Sequence, residues 1–320
     1  MSTADNNRDD DKDVDVPPDI CANCGKEGND VNNVCNKCKQ VKYCNAACKK
    51  KHRHKHKKDC EEHQRLAAER SAELHDEKLF NQPPQLYGDC PICFLRLPSL
   101  DMGKRYMSCC GKVICCGCDY APVYDNQGNE VNNEKCPFCR IPEPNSNEEA
   151  IQRLNKRVDA GDANAMHGMG VCYRDGAYGF PQDYTKALEL WQRAVEHGNT
   201  DAYNDIGYAY EHGQGVEVDS TKAYYYYELS AMRGCVSARF NIGNDEERIG
   251  NYDRALRHYM IATNSGHNKS LQTIKKLYEH TLATKEDYTK ALQSYQEYLS
   301  EIKSSQRDKA AAADEEYRYY

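Results

Sequence analysis

Sixteen of the chain's eighteen cysteines lie between Cys21 and Cys139, and nothing else in the sequence constrains the fold as tightly. Thiols packed this densely either pair as disulfides or bind metal. The N-terminal stretch, MSTADNNRDDDKDVDVPPD, holds no apolar run of the kind a secretory leader needs. Reduced, metal-bound thiols are therefore expected, in an intracellular setting, cytoplasm and/or nucleus. Residues 1–19 read as a disordered acidic tail. No apolar run reaches membrane-spanning length, so no membrane partner is expected.

The first cysteine block, residues 21–60, reads CANCGKEGNDVNNVCNKCKQVKYCNAACKKKHRHKHKKDC. Its candidate ligands are Cys21, Cys24, Cys35, Cys38, Cys44, Cys48, His56 and Cys60, enough for two tetrahedral zinc sites. Two CxxC knuckles come first. Cys44 and Cys48, then His56 and Cys60, stand four apart, which puts each pair on one helix face. Two knuckles followed by two short helical pieces are expected. Apolar side chains are few (Ile20, Val31, Val34, Val41, Tyr43), too few to offset chain entropy. Structural zinc supplies roughly 10–16 kcal/mol per site in small domains and decides the balance.

The order C-x2-C, C-x2-C, C-x3-C, H-x3-C resembles the MYND-type zinc finger over residues 20–60. The resemblance implies interleaved sites: Cys21, Cys24, Cys44 and Cys48 on one zinc, and Cys35, Cys38, His56 and Cys60 on the other. That family often carries tryptophan and proline before the ligand histidine, where this chain has Arg53 and His54. Its groove for proline-rich peptides is therefore altered here. His52 and His54 are expected to be solvated. KKKHRHKHKK, residues 49–58, reads as a basic, exposed helix face. The net charge of −7 argues against a general nucleic-acid binder. Residues 61–86 are a polar helix and Pro-rich linker ended by NQPPQ.

Residues 90–140 contain CPICFLRLP, SCCGKVICCGC and CPFCR. This arrangement resembles a RING-type zinc finger, with domain limits 87–141. In that family a histidine follows the central Cys-Gly, and here Lys112 stands in its place. A lysine ammonium offers no lone pair, so another thiol must complete the site. By the resemblance, Cys90, Cys93, Cys115 and Cys118 bind one zinc, and Cys109, Cys110, Cys136 and Cys139 the other, with Cys116 able to replace Cys109. Four zinc ions, two per finger, follow. The resemblance also implies contact with a ubiquitin-conjugating enzyme through Ile92 and Pro137. Arg140, directly after the last cysteine, would lock the ubiquitin thioester in a reactive pose, and no residue of this chain would act as nucleophile.

After a short linker, 142–149, the composition turns to helix formers, tyrosine and regularly placed Ala and Gly. AMHGMG (165–170), AYNDIG (202–207) and ARFNIG (238–243) align, as do KALELWQRAVEHG, KAYYYYELSAMRG and RALRHYMIATNSG. Steps between Ala187, Ala223, Ala255 and Ala291 are 36, 32 and 36 residues. The pattern resembles the SEL-one-like repeat, a relative of the tetratricopeptide repeat. It implies an all-α solenoid over 150–302 with a face for protein partners. Gly198, Gly234 and Gly266 follow second helices, where a left-handed cap suits glycine. Tyr224 to Tyr227 must surround their helix, some in the core and some outside. The tail, 303–320, either extends the last helix or docks on the solenoid.

The expected architecture is multidomain: two small zinc-stabilised fingers, the second α+β, followed by an all-α solenoid. The leading functional expectation is a RING-type ubiquitin ligase whose solenoid and MYND-type finger recruit protein partners. The alternatives are a non-catalytic zinc-finger scaffold and a transcription-related regulator.

Overall fold

A computed structural model describes residues 19–81, 87–100, 102–121, 123–124, 130–131 and 135–319. The acidic tail expected at 1–19 lies, apart from Asp19, outside the described residues, as does most of NQPPQ. The chain divides into two compact units, Met1–Glu77 and Lys78–Tyr320.

The first unit is built on β1 (Asn33–Val34) and β2 (Lys42–Tyr43), an antiparallel pair with Asn33 opposite Tyr43. Val31 and Tyr43 are its buried apolar side chains other than cysteine among the described residues, set among Cys21, Cys35, Cys38 and Cys60. The two short helical pieces and the separate spacer helix are in fact one helix, α1 (Ala46–Phe80). The reason is local. From Ala46 to Phe80 there is no glycine or proline. Pairs such as Arg65–Glu62 and Arg65–Glu69 add i,i+3 and i,i+4 support. Every residue from Glu61 to His75 is exposed.

The second unit opens with a cysteine-rich finger. β3 (Lys104–Met107) pairs antiparallel with β4 (Lys112–Cys115), Met107 facing Lys112. The short helix α2 (Cys116–Tyr120) follows, then the small hairpin β5 (Val123–Tyr124) and β6 (Glu130–Val131). Leu97, Met107 and Ile114 fill its centre.

The helices α3 (Asn147–Asp159), α4 (Ala163–Asp175), α5 (Tyr184–Glu196), α6 (Asp201–His212), α7 (Ser220–Ala231), α8 (Val236–Arg248), α9 (Tyr252–Asn264), α10 (Asn268–Glu279) and α11 (Lys285–Ile302) form the solenoid. They pack as successive hairpins, α4 on α5, α6 on α7, α8 on α9 and α10 on α11. Asp162, Asp183 and Asp219 cap α4, α5 and α7, and Thr284 makes a capping box on α11. One contact recurs. Gly170 lies against the Trp191 ring, Gly207 against Tyr227 and Gly243 against Tyr259, each so close that a Cβ would stand under 3 Å from the ring. The periodic glycine is there because the paired helix inserts a large aromatic at that level. Of the tyrosine run, Tyr227 is fully buried, Tyr224 and Tyr226 pack partly, and Tyr225 is exposed.

The tail neither extends α11 nor docks on the solenoid alone. After an extended Lys303, Ser304 caps a new helix, α12 (Ser305–Ala313), which packs on α2 of the second finger. Gly117 and Gly103 make room for it. A Cβ on Gly117 would meet the Arg307 backbone nitrogen at 2.9 Å, and one on Gly103 would meet the Tyr319 Cα at 2.8 Å. The other side of the finger leans on the first solenoid helices. Tyr106 Oη donates to Asp162 at 2.8 Å, and Arg157 Nη2 donates to the Cys109 carbonyl at 2.9 Å.

Candidate functional site

Four CxxC knuckles are made the same way. The amide following the second cysteine donates to the carbonyl of the first: Gly25 to Cys21 (2.9 Å), Lys39 to Cys35 (3.1 Å), Phe94 to Cys90 (2.9 Å) and Arg140 to Cys136 (2.9 Å). All four donors have positive φ, between 57° and 74°. The turn fixes both thiols on one side of the loop. In the first finger β2 and α1 then bring in Cys44, Cys48, His56 and Cys60. In the second, the β3–β4 turn carries Cys109 and Cys110, while β4 and α2 carry Cys115 and Cys118.

These elements gather four quartets: Cys21, Cys24, Cys44 and Cys48; Cys35, Cys38, His56 and Cys60; Cys90, Cys93, Cys115 and Cys118; and Cys109, Cys110, Cys136 and Cys139. Within each quartet all ligand atoms lie within 4.8 Å of one another. Sulfur separations are 3.7 Å for Cys24–Cys44, Cys35–Cys60 and Cys93–Cys115, 4.0 Å for Cys110–Cys136 and 3.4 Å for Cys139–Cys109. A disulfide needs about 2.05 Å. Tetrahedral zinc with Zn–S of about 2.3 Å requires sulfurs about 3.75 Å apart. The donor sets, three all-thiolate and one with an imidazole, also suit zinc. In each finger the two quartets interleave along the chain, so each ion would cross-brace two loops.

The lysine in the second finger stands aside. Lys112 is exposed at the start of β4, with Nζ 5.9 Å from the Phe138 ring centre. The tight turn at 108–111, closed by the Gly111 amide on the Met107 carbonyl at 2.7 Å, lets the adjacent Cys109 and Cys110 join one quartet. Cys116 lies outside all four quartets, buried in α2, where burial and then the charge of Asp119 push its thiol up to about 11. His52 is not solvated. It sits one turn before His56, its ring stacked on His56 and its Nδ1 3.2 Å from the Tyr43 hydroxyl. His54 is exposed. Ile92 and Pro137 are partly exposed and Arg140 is exposed.

One residue at this centre had no signal in the sequence. Arg307, 1% exposed, faces the thiols of Cys115 and Cys93 from α12. Its Nη1 donates to the Ile302 carbonyl at 2.6 Å and its Nη2 to the Leu95 carbonyl at 3.4 Å. Nothing local marks it, because its partners in the finger, Leu95 and the thiols of Cys93 and Cys115, lie about two hundred positions upstream.

The MYND finger model matches residues 21–60, the span of the first two quartets, and the Sel1 repeat model matches 163–199 and 200–235, the hairpins α4–α5 and α6–α7. The chain carries a MYND finger and Sel1 repeats. The MYND finger implies bound zinc, and both modules generally mediate protein–protein interaction. The chain is 32% identical over 123 residues to the "ERAD-associated E3 ubiquitin-protein ligase component HRD3B" of Arabidopsis thaliana, covering 38% of this chain and 18% of that protein. It is 28% identical over 115 residues to "Protein sel-1 homolog 2" of Rattus norvegicus, covering 35% and 17%. The chain thus spans less than a fifth of these relatives. Among solved structures it is similar to a Sel1 repeat protein from Oxalobacter formigenes, with a TM-score of 0.42 and 27% identity over 54% of this chain and 67% of that one. Another is c5321, a protective antigen of uropathogenic Escherichia coli strains displaying an SLR fold, with a TM-score of 0.42 and 22% identity over 58% and 38%.

Proposed function

We propose that this protein is a RING-type ubiquitin-protein ligase of a reducing compartment, cytoplasm and/or nucleus. Its second finger orients a ubiquitin-charged conjugating enzyme, while the MYND finger and the Sel1 solenoid recruit protein partners. The observation that carries the reading is the disposition of Ile92, Pro137 and Arg140 on the outer knuckles of a finger whose two cysteine quartets interleave. Cys90, Cys93, Cys115 and Cys118 would hold one zinc, and Cys109, Cys110, Cys136 and Cys139 a second, making four ions per chain with the MYND finger. Zinc supplies structural cross-links and no chemistry on the substrate.

Ile92 and Pro137 offer apolar contact to the conjugating enzyme. Arg140 offers a planar set of donors able to hydrogen-bond enzyme and ubiquitin together. Holding the thioester in one reactive geometry removes the entropic part of the barrier, so no nucleophile from this chain is required. A relative named as a component of a ubiquitin ligase is consistent with this setting.

The test is discharge of ubiquitin from a panel of charged conjugating enzymes by the zinc-loaded full chain beside Arg140→Ala. The full chain is used because the tail and the first solenoid helices pack on the finger. Faster discharge that depends on Arg140 supports the ligase. No acceleration by a fully metallated chain across the panel assigns the protein to the scaffold class.

A further inference from the structure

The MYND finger carries a cleft of about 720 Å3 on the face where α1 meets the Cys35–Cys38 knuckle. Tyr43 is buried at its base, four cations line it, Lys37 on the knuckle and Lys50, Arg53 and Lys57 on α1, and Glu61 closes its far end. Positions 50, 53 and 57 recur at i, i+3 and i+7, so they form one stripe along the helix. All four cations are exposed, and none makes an ion pair or side-chain hydrogen bond among the described residues. Lys49 beside them is tied down, donating to the Val34 carbonyl at 2.6 Å and to Asn36 at 2.7 Å. The adjacent quartet does not consume this charge. Three thiolates, Cys35, Cys38 and Cys60, against one divalent ion leave a single net negative charge. Arg53 lines the cleft and is exposed, so the cleft presents a guanidinium to its occupant.

We propose that this cleft docks an acidic protein segment, an extended peptide rich in aspartate or glutamate. The occupant follows from charge complementarity and from length. Residues 49–58 hold seven cations and no acid, but the helix turns acidic immediately afterwards at Asp59, Glu61 and Glu62. Glu61 lines the far end of the cleft, so a nucleic-acid backbone continuing along α1 would meet Glu61 and then Glu62, whereas a short acidic peptide seated over Lys37, Lys50 and Arg53 stops before them. The inference rests on the partner-recruiting role given to the MYND finger and is independent of the ligase reading, which is tested at Arg140.

The experiment is fluorescence anisotropy on the zinc-loaded full chain with four probes: a labelled glutamate-rich peptide, its glutamine counterpart, a proline-rich peptide and an oligothymidylate of equal length. Lys50→Glu/Arg53→Glu is measured beside the native chain, with equal zinc content as the folding control. A third chain, with Asp9, Asp10, Asp11, Asp13 and Asp15 changed to Asn, removes acidic competition from within the molecule. We expect the glutamate-rich peptide to bind and the glutamine peptide not to. The double reversal should weaken binding by about tenfold or more, and raising salt from about 50 to about 300 mM should weaken it comparably. Binding that emerges only when the five aspartates are removed supports the same chemistry. Binding in neither chain, or tighter binding of oligothymidylate, overturns the proposal. Preference for the proline-rich peptide overturns it too while leaving the recruiting role intact.

Discussion

The Arg140 amide donates to the Cys136 carbonyl at 2.9 Å with φ at 64°, so one residue both closes the last knuckle and presents an exposed guanidinium. Backbone and side chain can be separated by substitution. A left-handed conformation costs an L-residue roughly 1–2 kcal/mol that glycine avoids. Arg140→Gly should keep full zinc content and melt no lower than Arg140→Ala, while both lose ubiquitin discharge. Discharge that survives in both variants removes Arg140 from the mechanism.

Cys109 stands 3.4 Å from Cys139, while Cys116 belongs to none of the quartets. Cys109→Ser should lower the metal content by about one ion per chain, and Cys116→Ser should leave it unchanged. The check is mass spectrometry of the native protein. The reverse result would mean that Cys116 completes the site.

Gly243 supports the opposite of the usual helix rule. Alanine replacing glycine inside an exposed helix gains about 1 kcal/mol. At Gly243 a Cβ would stand 2.5 Å from the Tyr259 ring, so Gly243→Ala should instead cost about 1–3 kcal/mol through overpacking. Gly168, in α4 with nothing within 4 Å of such a Cβ, is the control and should gain stability. Denaturant midpoints read from Trp191, the only tryptophan and 1% exposed, measure both.

Arg307 joins the tail to the second finger through the Leu95 carbonyl and to the end of α11 through the buried Ile302 carbonyl. Removing it strands those groups, and Arg307→Ala should destabilise the unit by about 2–4 kcal/mol. Zinc should then leave the second finger at a lower chelator concentration than it leaves the MYND finger. Equal chelator sensitivity in native and variant chains would show that the tail does not support the metal loops.

His258 and His267 are buried neutral. Burial, then the Arg239 charge, holds His258 down to about 3, and burial, then Lys269, holds His267 down to about 4. Their folded values lie below the unfolded one near 6.5, so protons bind the unfolded chain first. Above about pH 6.5 they contribute no pH dependence. As pH falls toward 4, each should cost the fold about 1.4 kcal/mol per pH unit. His258→Phe keeps the ring contact with Phe80 (4.6 Å between ring centres) and should roughly halve the slope. Trp191 emission at successive pH values follows the unfolding, and comparing the two chains at equal zinc content cancels the part due to zinc release. An unchanged slope would assign the acid sensitivity elsewhere.

Much of the site was legible because its signals are local. CxxC turns and i,i+4 ligand pairs are set by a few neighbouring dihedrals, so the candidate ligands were legible from spacing, while their division into the four groups that the fold brings together came from the resemblance to the two finger families. The repeat followed equally well, since each hairpin buries its seam against a neighbour of similar sequence. His52 was misread because its basic neighbours suggested solvent, although its place one turn before His56 puts it against Tyr43. The i,i+4 ligand spacing marks only pieces of α1, whereas its full length follows from a run that no glycine or proline interrupts.

The sequence by itself determined the metal chemistry, the helical period and the glycine positions, because each depends on residues within a few turns of one another. Only the tertiary structure decided that Cys109 rather than Cys116 joins a quartet, and that α12 closes on the second finger through Arg307 and Gly117. It alone gathered Lys37 with the α1 cations around one cleft. Those outcomes depend on side chains meeting across long loops, where the deciding quantity is the space left between backbones, and no local pattern encodes it.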